Sequence, residues 1–219
     1  MSVASQIQRI QEKLPPGISL VAVSKFQPVQ ALMEAYAAGQ RGFGESRAQE
    51  FVLKQLELPT DIEWHFIGHL QTNKVKMVVG KAALIHSADS EALLDALNKE
   101  AQKQGVVQDI LWELHVAQEE SKWGFAPEVL PALAERVLHG DWPHLRVCGL
   151  MGMASLVSDS QQIRAEFRWI KQAFDGLKAG AFAHSPHFKM LSMGMSSDWP
   201  IAVEEGSTLI RVGSQIFGS

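Results

Sequence analysis

A lysine that directly follows a short apolar run is the first candidate for chemistry in this chain. Lys25 comes at the end of the run at 18–24, ISLVAVS, which predicts a buried β-strand. In a β/α barrel such a strand ends at the mouth where active sites lie, and we expect the Lys25 amine to project there, withdrawn from water. A desolvated lysine amine can form a Schiff base with a carbonyl compound. The alternative is a structural lysine that extends into solvent, and spacing alone leaves both open.

The last apolar run of the chain offers a complementary set of groups. It places Arg211 within a strand, Gly213 at the end of that strand and Ser214 directly after it. A glycine lets backbone N–H groups approach an anion and a serine adds a hydroxyl donor, so this turn could hold a phosphate. Barrels often bind phosphate after strands seven and eight, and the preceding strand ends in a similar turn, SMGMSS at 192–197. A Gly-Ser turn without a ligand is the alternative for both.

Histidine and cysteine do not predict a metal site. His65 and His69 are four residues apart, but the first lies in a predicted strand and the second follows Gly68, so they do not share a helical face. The chain has one cysteine and no HExxH motif. Because Cys148 lies in an apolar run, we expect it to be a small buried hydrophobe rather than a reactive thiol.

These groups need strands and helices to position them, and hydrophobic runs alternate with amphipathic stretches along the whole chain. Strands are predicted at 18–24, 62–67, 82–87, 109–116, 145–151, 188–193 and 207–213, with a weaker one at 41–44. Helices are predicted at 3–14, 28–38, 46–57, 70–79, 90–104, 127–139, 159–178 and, more briefly, 198–205. Ser90 suits the N-cap of the helix that it precedes, and Gly105 suits its left-handed C-cap. Regular β-then-α alternation indicates parallel β/α units.

The architecture follows from this alternation and from the length of the chain. A closed eight-stranded barrel and an open doubly wound sheet both fit parallel β/α units. No GxGxxG follows the first strand and no GxxxxGK[ST] occurs, so the usual signs of an open nucleotide-binding sheet are missing. About eight strands favour an α/β fold of the (β/α)8 TIM-barrel type with an extra N-terminal helix. Such barrels rarely have fewer than about 200 residues, so 219 residues predict a single domain, 1–219.

Composition narrows the classes of partner. The formal net charge is −4, with 20 basic and 24 acidic residues, which argues against a nucleic-acid partner. No apolar run approaches the roughly 20 residues that a membrane span requires, and the first residues lack the apolar core of a signal peptide. We therefore expect a cytoplasmic protein that binds neither nucleic acid nor membrane.

Five motifs together resemble the pyridoxal-phosphate homeostasis protein family. They are AVSK at 22–25, GES with Gln49-Glu50 at 44–50, WHFIGHLQTNK at 64–74, LSMGMSSD at 191–198 and GSTLIRVGSQIFG at 206–218. They span nearly the whole chain in order, and their combination is highly specific. The resemblance implies a barrel of the alanine racemase N-terminal type that carries pyridoxal 5′-phosphate as its cofactor.

The resemblance also implies a role for each candidate site residue. Lys25 matches the lysine that forms the Schiff base, and Arg211 matches the arginine that faces the pyridine nitrogen. Gly213 and Ser214 fall where backbone and hydroxyl groups hold the phosphate. Ser192 resembles a second serine on the phosphate side. No catalytic and no metal-binding residue is implied.

The chain departs from the family pattern at two positions. Ser46 stands where the family usually has asparagine, and His115 stands near a position that is often asparagine, whereas Lys122 and Gly124 keep the later pattern. The shorter Ser46 lacks the amide and therefore cannot make the contacts of that amide. The lysine and phosphate motifs are intact, so we expect cofactor binding to be kept.

The resemblance implies vitamin B6 homeostasis: the protein would hold the cofactor reversibly on Lys25, limit the free aldehyde and deliver it to apo-enzymes. Racemases of this type use a lysine and a tyrosine as two bases, but the only tyrosine here is Tyr36, in a predicted helix, and the chain ends at Ser219. We therefore expect no catalytic activity and a monomer. The alternatives are a slow pyridoxal-phosphate-dependent amino-acid racemase and a barrel of unrelated phosphate metabolism.

Overall fold

The computed structural model describes residues 2–116 and 123–218. Eight parallel strands close into a barrel in which each strand pairs with its neighbours in chain order and β8 pairs with β1. The strands are β1 Ser19–Val23, β2 Gly42–Glu45, β3 Glu63–Phe66, β4 Leu84–Ala88, β5 Gln108–Leu114, β6 Leu145–Gly152, β7 Met190–Ser192 and β8 Leu209–Val212. This confirms the barrel and excludes the open sheet, and the weak strand predicted at 41–44 is β2.

Helices surround the barrel. They are α1 Val3–Gln11, α2 Val29–Ala37, α3 Ala48–Glu57, α4 Glu91–Gln104, α5 Leu130–Leu138, α6 Ser160–Ala179, α7 Trp199–Glu204 and α8 Ser214–Phe217. The expected N-terminal helix is α1, which buries Ile7 and Ile10 and contacts α2 and α8. The caps of α4 are also as expected: the Ser90 hydroxyl accepts from the Leu93 N–H, and Gly105 is left-handed with φ +66.

One predicted helix is wrong in type. The stretch predicted as a helix at 70–79 forms only a 3₁₀ helix, Thr72–Met77, which connects β3 to β4. The stretch contains β-branched Thr72 and Val75, which have low helix propensity. A second 3₁₀ turn, Pro127–Val129, leads into α5. None of the described helices is long and apolar enough to cross a membrane.

Buried apolar side chains form two layers, because successive strand residues point to opposite faces of the sheet. The larger layer lies between strands and helices; its largest fully buried side chains include Trp112, Phe43, Phe51, Phe66, Phe167 and Phe188. The smaller one fills the barrel interior with Val21, Leu84, Leu111, Cys148, Met151 and Leu209. Cys148 is thus the small buried hydrophobe that its sequence context predicts, and burial raises the pKa of its thiol to about 12.

Candidate functional site

A cavity of about 530 Å³ opens at the carboxyl end of the strands. Four of the predicted site residues line it, namely Lys25, Arg211, Gly213 and Ser214. The rest of the wall consists of Val23, Ser46, Ile67, Met153, Met195, Ser196, Ser197 and Gln215. Its volume lies in the range of sites that enclose a small molecule. The fold therefore brings an amine, a guanidinium and several hydroxyl groups to one place.

Lys25 lies two residues beyond the end of β1, in a tight turn. The Gln27 N–H donates to the Ser24 carbonyl at 3.0 Å, so Lys25 and Phe26 are the two central residues of this turn. Phe26 has φ +65, a conformation that is uncommon for a residue with a side chain. Lys25 reaches the mouth as expected, but the expected withdrawal from water is wrong: its side chain is exposed, because the turn carries it past the buried strand.

Arg211 forms part of the floor of the cavity. It is 4% exposed, and burial lowers the pKa of its guanidinium to about 10, partly offset by the charges of Glu113 and Asp198. Arg211 therefore stays protonated at neutral pH. Among the described residues no carboxylate lies within the 4.0 Å that defines a salt bridge with it. A buried cation without a paired carboxylate is costly, which makes this a place where an electron-rich ligand atom is favoured.

The Arg211 side chain is held by backbone and hydroxyl oxygens. One terminal nitrogen donates to the Ser192 carbonyl at 2.9 Å and to the Ser192 hydroxyl, and the other donates to the Gly152 carbonyl at 3.3 Å. A guanidinium has five N–H groups, so these three bonds leave two of them for a ligand.

Two buried histidines continue this chain of hydrogen bonds through the barrel. The Ser192 hydroxyl lies 3.0 Å from Nδ1 of His86, and Nε2 of His86 lies 2.9 Å from Nδ1 of His65. Because Arg211 can only donate, the Ser192 hydroxyl accepts from it and donates onward to His86, whose other nitrogen then donates to His65. Burial lowers the pKa of His65 to about 4 and that of His86 well below its ordinary value, so both rings are neutral and fit these roles.

Ser192 does not line the cavity. Its side chain is fully buried beneath Arg211, since Ser192 is the last residue of β7 and still points into the barrel. Its contact with a phosphate stays a prediction. The hydroxyl groups on the wall are those of Ser196, Ser197 and Ser214. The sequence could have identified Ser196 and Ser197 as wall residues, because they end the SMGMSS segment at 192–197. Residues beyond the end of a strand are the ones that reach the mouth of a barrel.

The turn after β8 packs closely against β1 and against the turn after β7, residues 193–197, which we call the serine turn. A Cβ atom at Gly213 would lie 3.2 Å from both the Cβ and the carbonyl oxygen of Val23, so a side chain there would need a shift of the neighbouring strand. The Gly213 N–H donates to the Ser196 hydroxyl at 3.2 Å. The Gln215 amide donates to the Ser196 carbonyl at 2.6 Å, which ties the serine turn to α8. Backbone N–H and hydroxyl donors thus converge at this end of the cavity.

The two departures from the expected family pattern differ in position. Ser46 lies on the cavity wall, whereas His115 is exposed beside a separate groove with Val116 and Pro127. Gly124 is described and has φ +110, while Lys122 lies outside the described residues. Within residues 2–116 and 123–218, no group of three or more potential metal ligands occurs.

Comparison with known proteins extends these observations over the whole chain. Residues 2–219 match the family described as alanine racemase, N-terminal domain. The pyridoxal phosphate homeostasis protein of Aquifex aeolicus (strain VF5) is 41% identical over 220 residues, which cover 99% of this chain and 94% of that protein. Among solved structures, PipY of Synechococcus elongatus PCC7942 with PLP bound is 38% identical, has a TM-score of 0.88, and is matched over 99% of this chain and 100% of that one.

A larger enzyme is similar to this chain in fold only. Alanine racemase from Streptomyces coelicolor A3(2) is 19% identical, with a TM-score of 0.75, over 99% of this chain and 57% of the racemase chain. This likeness bears out the expected barrel of the alanine racemase N-terminal type.

Proposed function

Because this chain belongs to the pyridoxal phosphate homeostasis protein family, we propose that it binds pyridoxal 5′-phosphate reversibly through Lys25, limits the free aldehyde and delivers the cofactor to apo-enzymes. The observation that carries the proposal is that one cavity holds Lys25, the unpaired Arg211 cation and the hydroxyl and N–H donors of two turns. The PLP-bound structure of the PipY relative supports the choice of ligand.

The residues present fit the chemical parts of this cofactor. The unprotonated Lys25 amine would add to the aldehyde carbon, and the aldehyde oxygen would leave as one water as the carbon–nitrogen double bond forms. Arg211 has two N–H groups beyond its three internal bonds, and one of them would donate to the pyridine nitrogen. Gly213, Ser214 and Ser196 supply donors for the phosphate. Ser192 would act mainly by holding Arg211 in place.

Two features support storage rather than turnover. Arg211 remains a donor at neutral pH, so it disfavours a protonated pyridine ring, and an unprotonated ring is a weak acceptor of electrons from a bound amino acid. The only tyrosine, Tyr36, donates its hydroxyl to Asp61 at 2.7 Å. Asp61 precedes β3, so this hydroxyl lies toward the amino end of the strands, opposite the cavity. Neither feature suits two-base racemisation.

The proposal can be tested by an absorbance spectrum and by the mass of the borohydride-reduced protein. Purified protein with added pyridoxal phosphate should gain an absorbance band in the near ultraviolet or visible, and borohydride reduction should place the modification on the peptide that contains Lys25. Lys25→Ala should lose the band, whereas Lys99→Ala, which removes an exposed lysine on α4, should keep it. A protein that forms no band, or is modified equally in both variants, contradicts the proposal.

Two further assays separate the alternatives. Loss of α-deuterium from L-alanine faster than with free cofactor, abolished by Lys25→Ala, would assign a racemase instead. Protection against unfolding by a sugar phosphate but not by pyridoxal phosphate would assign another phosphate ligand. For delivery, an apo-enzyme should regain activity faster from the loaded protein than from an equal concentration of free cofactor.

A further inference from the structure

A buried ammonium group lies behind the turn that carries Lys25. Lys54, on α3, has a side chain only 6% exposed, yet it does not line the cavity. Its Nζ donates three hydrogen bonds, each 2.7 Å long, to the Ser24 carbonyl, to Glu45 and to Glu50. An ammonium has three N–H groups, so Lys54 is fully satisfied. Because Lys54 does not line the cavity, it can act there only through the groups that it binds.

The two carboxylates that Lys54 binds also contact the residues on either side of Lys25. Glu45, fully buried at the end of β2, accepts from the Ser24 hydroxyl at 2.6 Å. Glu50, in the first turn of α3, accepts from the Phe26 N–H at 2.7 Å. We call Lys54, Glu45 and Glu50 the Lys54 cluster. It fixes the peptide before Lys25 through Ser24 and the peptide after it through Phe26.

The turn needs such support because one of its residues is strained. Phe26 has φ +65 at the third position of a turn, where glycine or asparagine is usual. Strained residues of this kind persist only where surrounding contacts determine the conformation. The Phe26 residue is 64% exposed. The Arg47 guanidinium lies over its ring, 4.6 Å from the ring centroid. Packing of the ring is therefore a weak restraint, and the bond from the Phe26 N–H to Glu50 is the stronger one.

We propose that the Lys54 cluster positions Lys25: by binding Ser24 and Phe26 it holds the strained turn in the one conformation that directs the lysine into the cavity. Glu45, Glu50 and Lys54 are positioning residues, since none of them lines the cavity. The importance of the cluster for cofactor attachment rests on the proposed function, but the restraint on the turn is a property of the cofactor-free protein.

Glu50 provides the decisive variants, because its side chain is 22% exposed and its loss leaves Lys54 paired with Glu45 and Ser24. In Glu50→Ala without cofactor, we expect amide exchange of the segment 24–27 to rise by about tenfold, and attachment of pyridoxal phosphate to Lys25 to slow by about tenfold. Glu50→Gln keeps an oxygen acceptor for the Phe26 N–H and should stay within about twofold of the original protein. Glu57→Ala, at the exposed last residue of the same helix, should change neither quantity.

A second variant tests the role of strain directly. Glycine adopts positive φ without strain, so Phe26→Gly in the Glu50→Ala background should recover most of the attachment rate. If Glu50 acted through its charge on Lys25 instead, Phe26→Gly would recover nothing. Should Glu50→Ala fail to fold, Glu50→Asp gives the same comparison, because it keeps the charge but shortens the reach to the Phe26 N–H.

These experiments distinguish a failure of the positioning role from a failure of the proposed function. If pyridoxal phosphate does not attach to Lys25 in the unaltered protein, the proposed function fails, while amide exchange still reports on the cluster. Unchanged exchange at 24–27 in Glu50→Ala overturns the restraint. Raised exchange with unchanged attachment overturns the positioning role, as does a Glu50→Gln variant as impaired as Glu50→Ala.

Discussion

Replacing Glu113 by glutamine should stabilise the cofactor-free protein at alkaline pH and not at acid pH. Glu113 lies on β5 and is 6% exposed. Burial is the main cause that raises the pKa of its carboxyl from 4.5 to about 7; the negative charge of Asp89 raises it further and the Arg211 cation lowers it. Folding therefore opposes ionisation of this group. Glutamine has nearly the same shape and cannot ionise, so it removes that opposition.

Proton linkage gives the sign and the size of the change in the free energy of unfolding. Between pH 4.5 and about 7 the native protein keeps the Glu113 proton that the unfolded chain has released, so the free energy of unfolding falls as the pH rises. The stabilising contribution is complete below the unfolded pKa and is lost as the pH passes the folded one. A difference of roughly 2.5 pKa units corresponds to about 3 kcal/mol. Because part of this contribution is already lost at pH 5, the advantage of Glu113→Gln over the original protein should grow by about 2.5 kcal/mol between pH 5 and pH 8.

The measurement is urea unfolding of both proteins at about pH 5 and about pH 8, with the slope of each transition checked for equality. Glu34→Gln, an exposed carboxylate on α2, serves as the control and should show a nearly constant difference from the original protein at the two pH values. A Glu113→Gln advantage that does not change with pH, or that shrinks toward alkaline pH, would refute the argument that burial opposes this charge.

Four further outcomes follow from the site and the core. Ser192→Ala should weaken pyridoxal phosphate binding by about tenfold in a spectroscopic titration while leaving attachment on Lys25, because Arg211 loses one of its acceptors. His65→Asn should flatten acid destabilisation: the low pKa of His65 removes about 3 kcal/mol of stability as the pH falls from 6.5 to about 4, measurable by urea unfolding. Gly213→Ala should weaken binding of inorganic phosphate as well as of the cofactor, measured by calorimetry, because its Cβ displaces β1. Cys148 should resist a thiol reagent in the native protein and react at once in denaturant, since its thiol is buried with a pKa of about 12.

The barrel and most of its mouth were predictable because they depend on local patterns. Alternating apolar and amphipathic stretches predict parallel β/α units, and a residue just past an apolar run must lie at the mouth of a barrel. This logic found Lys25, Gly213 and Ser214. The same logic applied to the strand before would have chosen Ser196, beyond the end of β7, over Ser192, which is still inside the strand.

The hydrogen bonds that join the interior polar groups could not be predicted from the sequence, because each group lies in an apolar strand whose neighbouring residues do not indicate its partner. His65, His86 and Arg211 come from three different strands and meet only once the barrel closes. Lys54 is harder still, since a lysine on an amphipathic helix normally reaches solvent. Its burial depends on two carboxylates and a carbonyl that only the tertiary structure brings together.

The cavity contains a buried cation, Arg211, with which no carboxylate of the described residues pairs directly. Among the described residues neither Lys25 nor Arg211 forms a salt bridge, although carboxylates elsewhere pair with Lys54 and with several surface arginines. The charges of Glu113 and Asp198 act on Arg211, and burial raises the pKa of both carboxyls. An anionic ligand with an electron-rich ring atom would supply the missing partners, so binding should stabilise the fold. At a ligand concentration of about one hundred times Kd the gain should be about 2.7 kcal/mol, and it should be much smaller at the same concentration of a compound that lacks the phosphate and therefore binds more weakly.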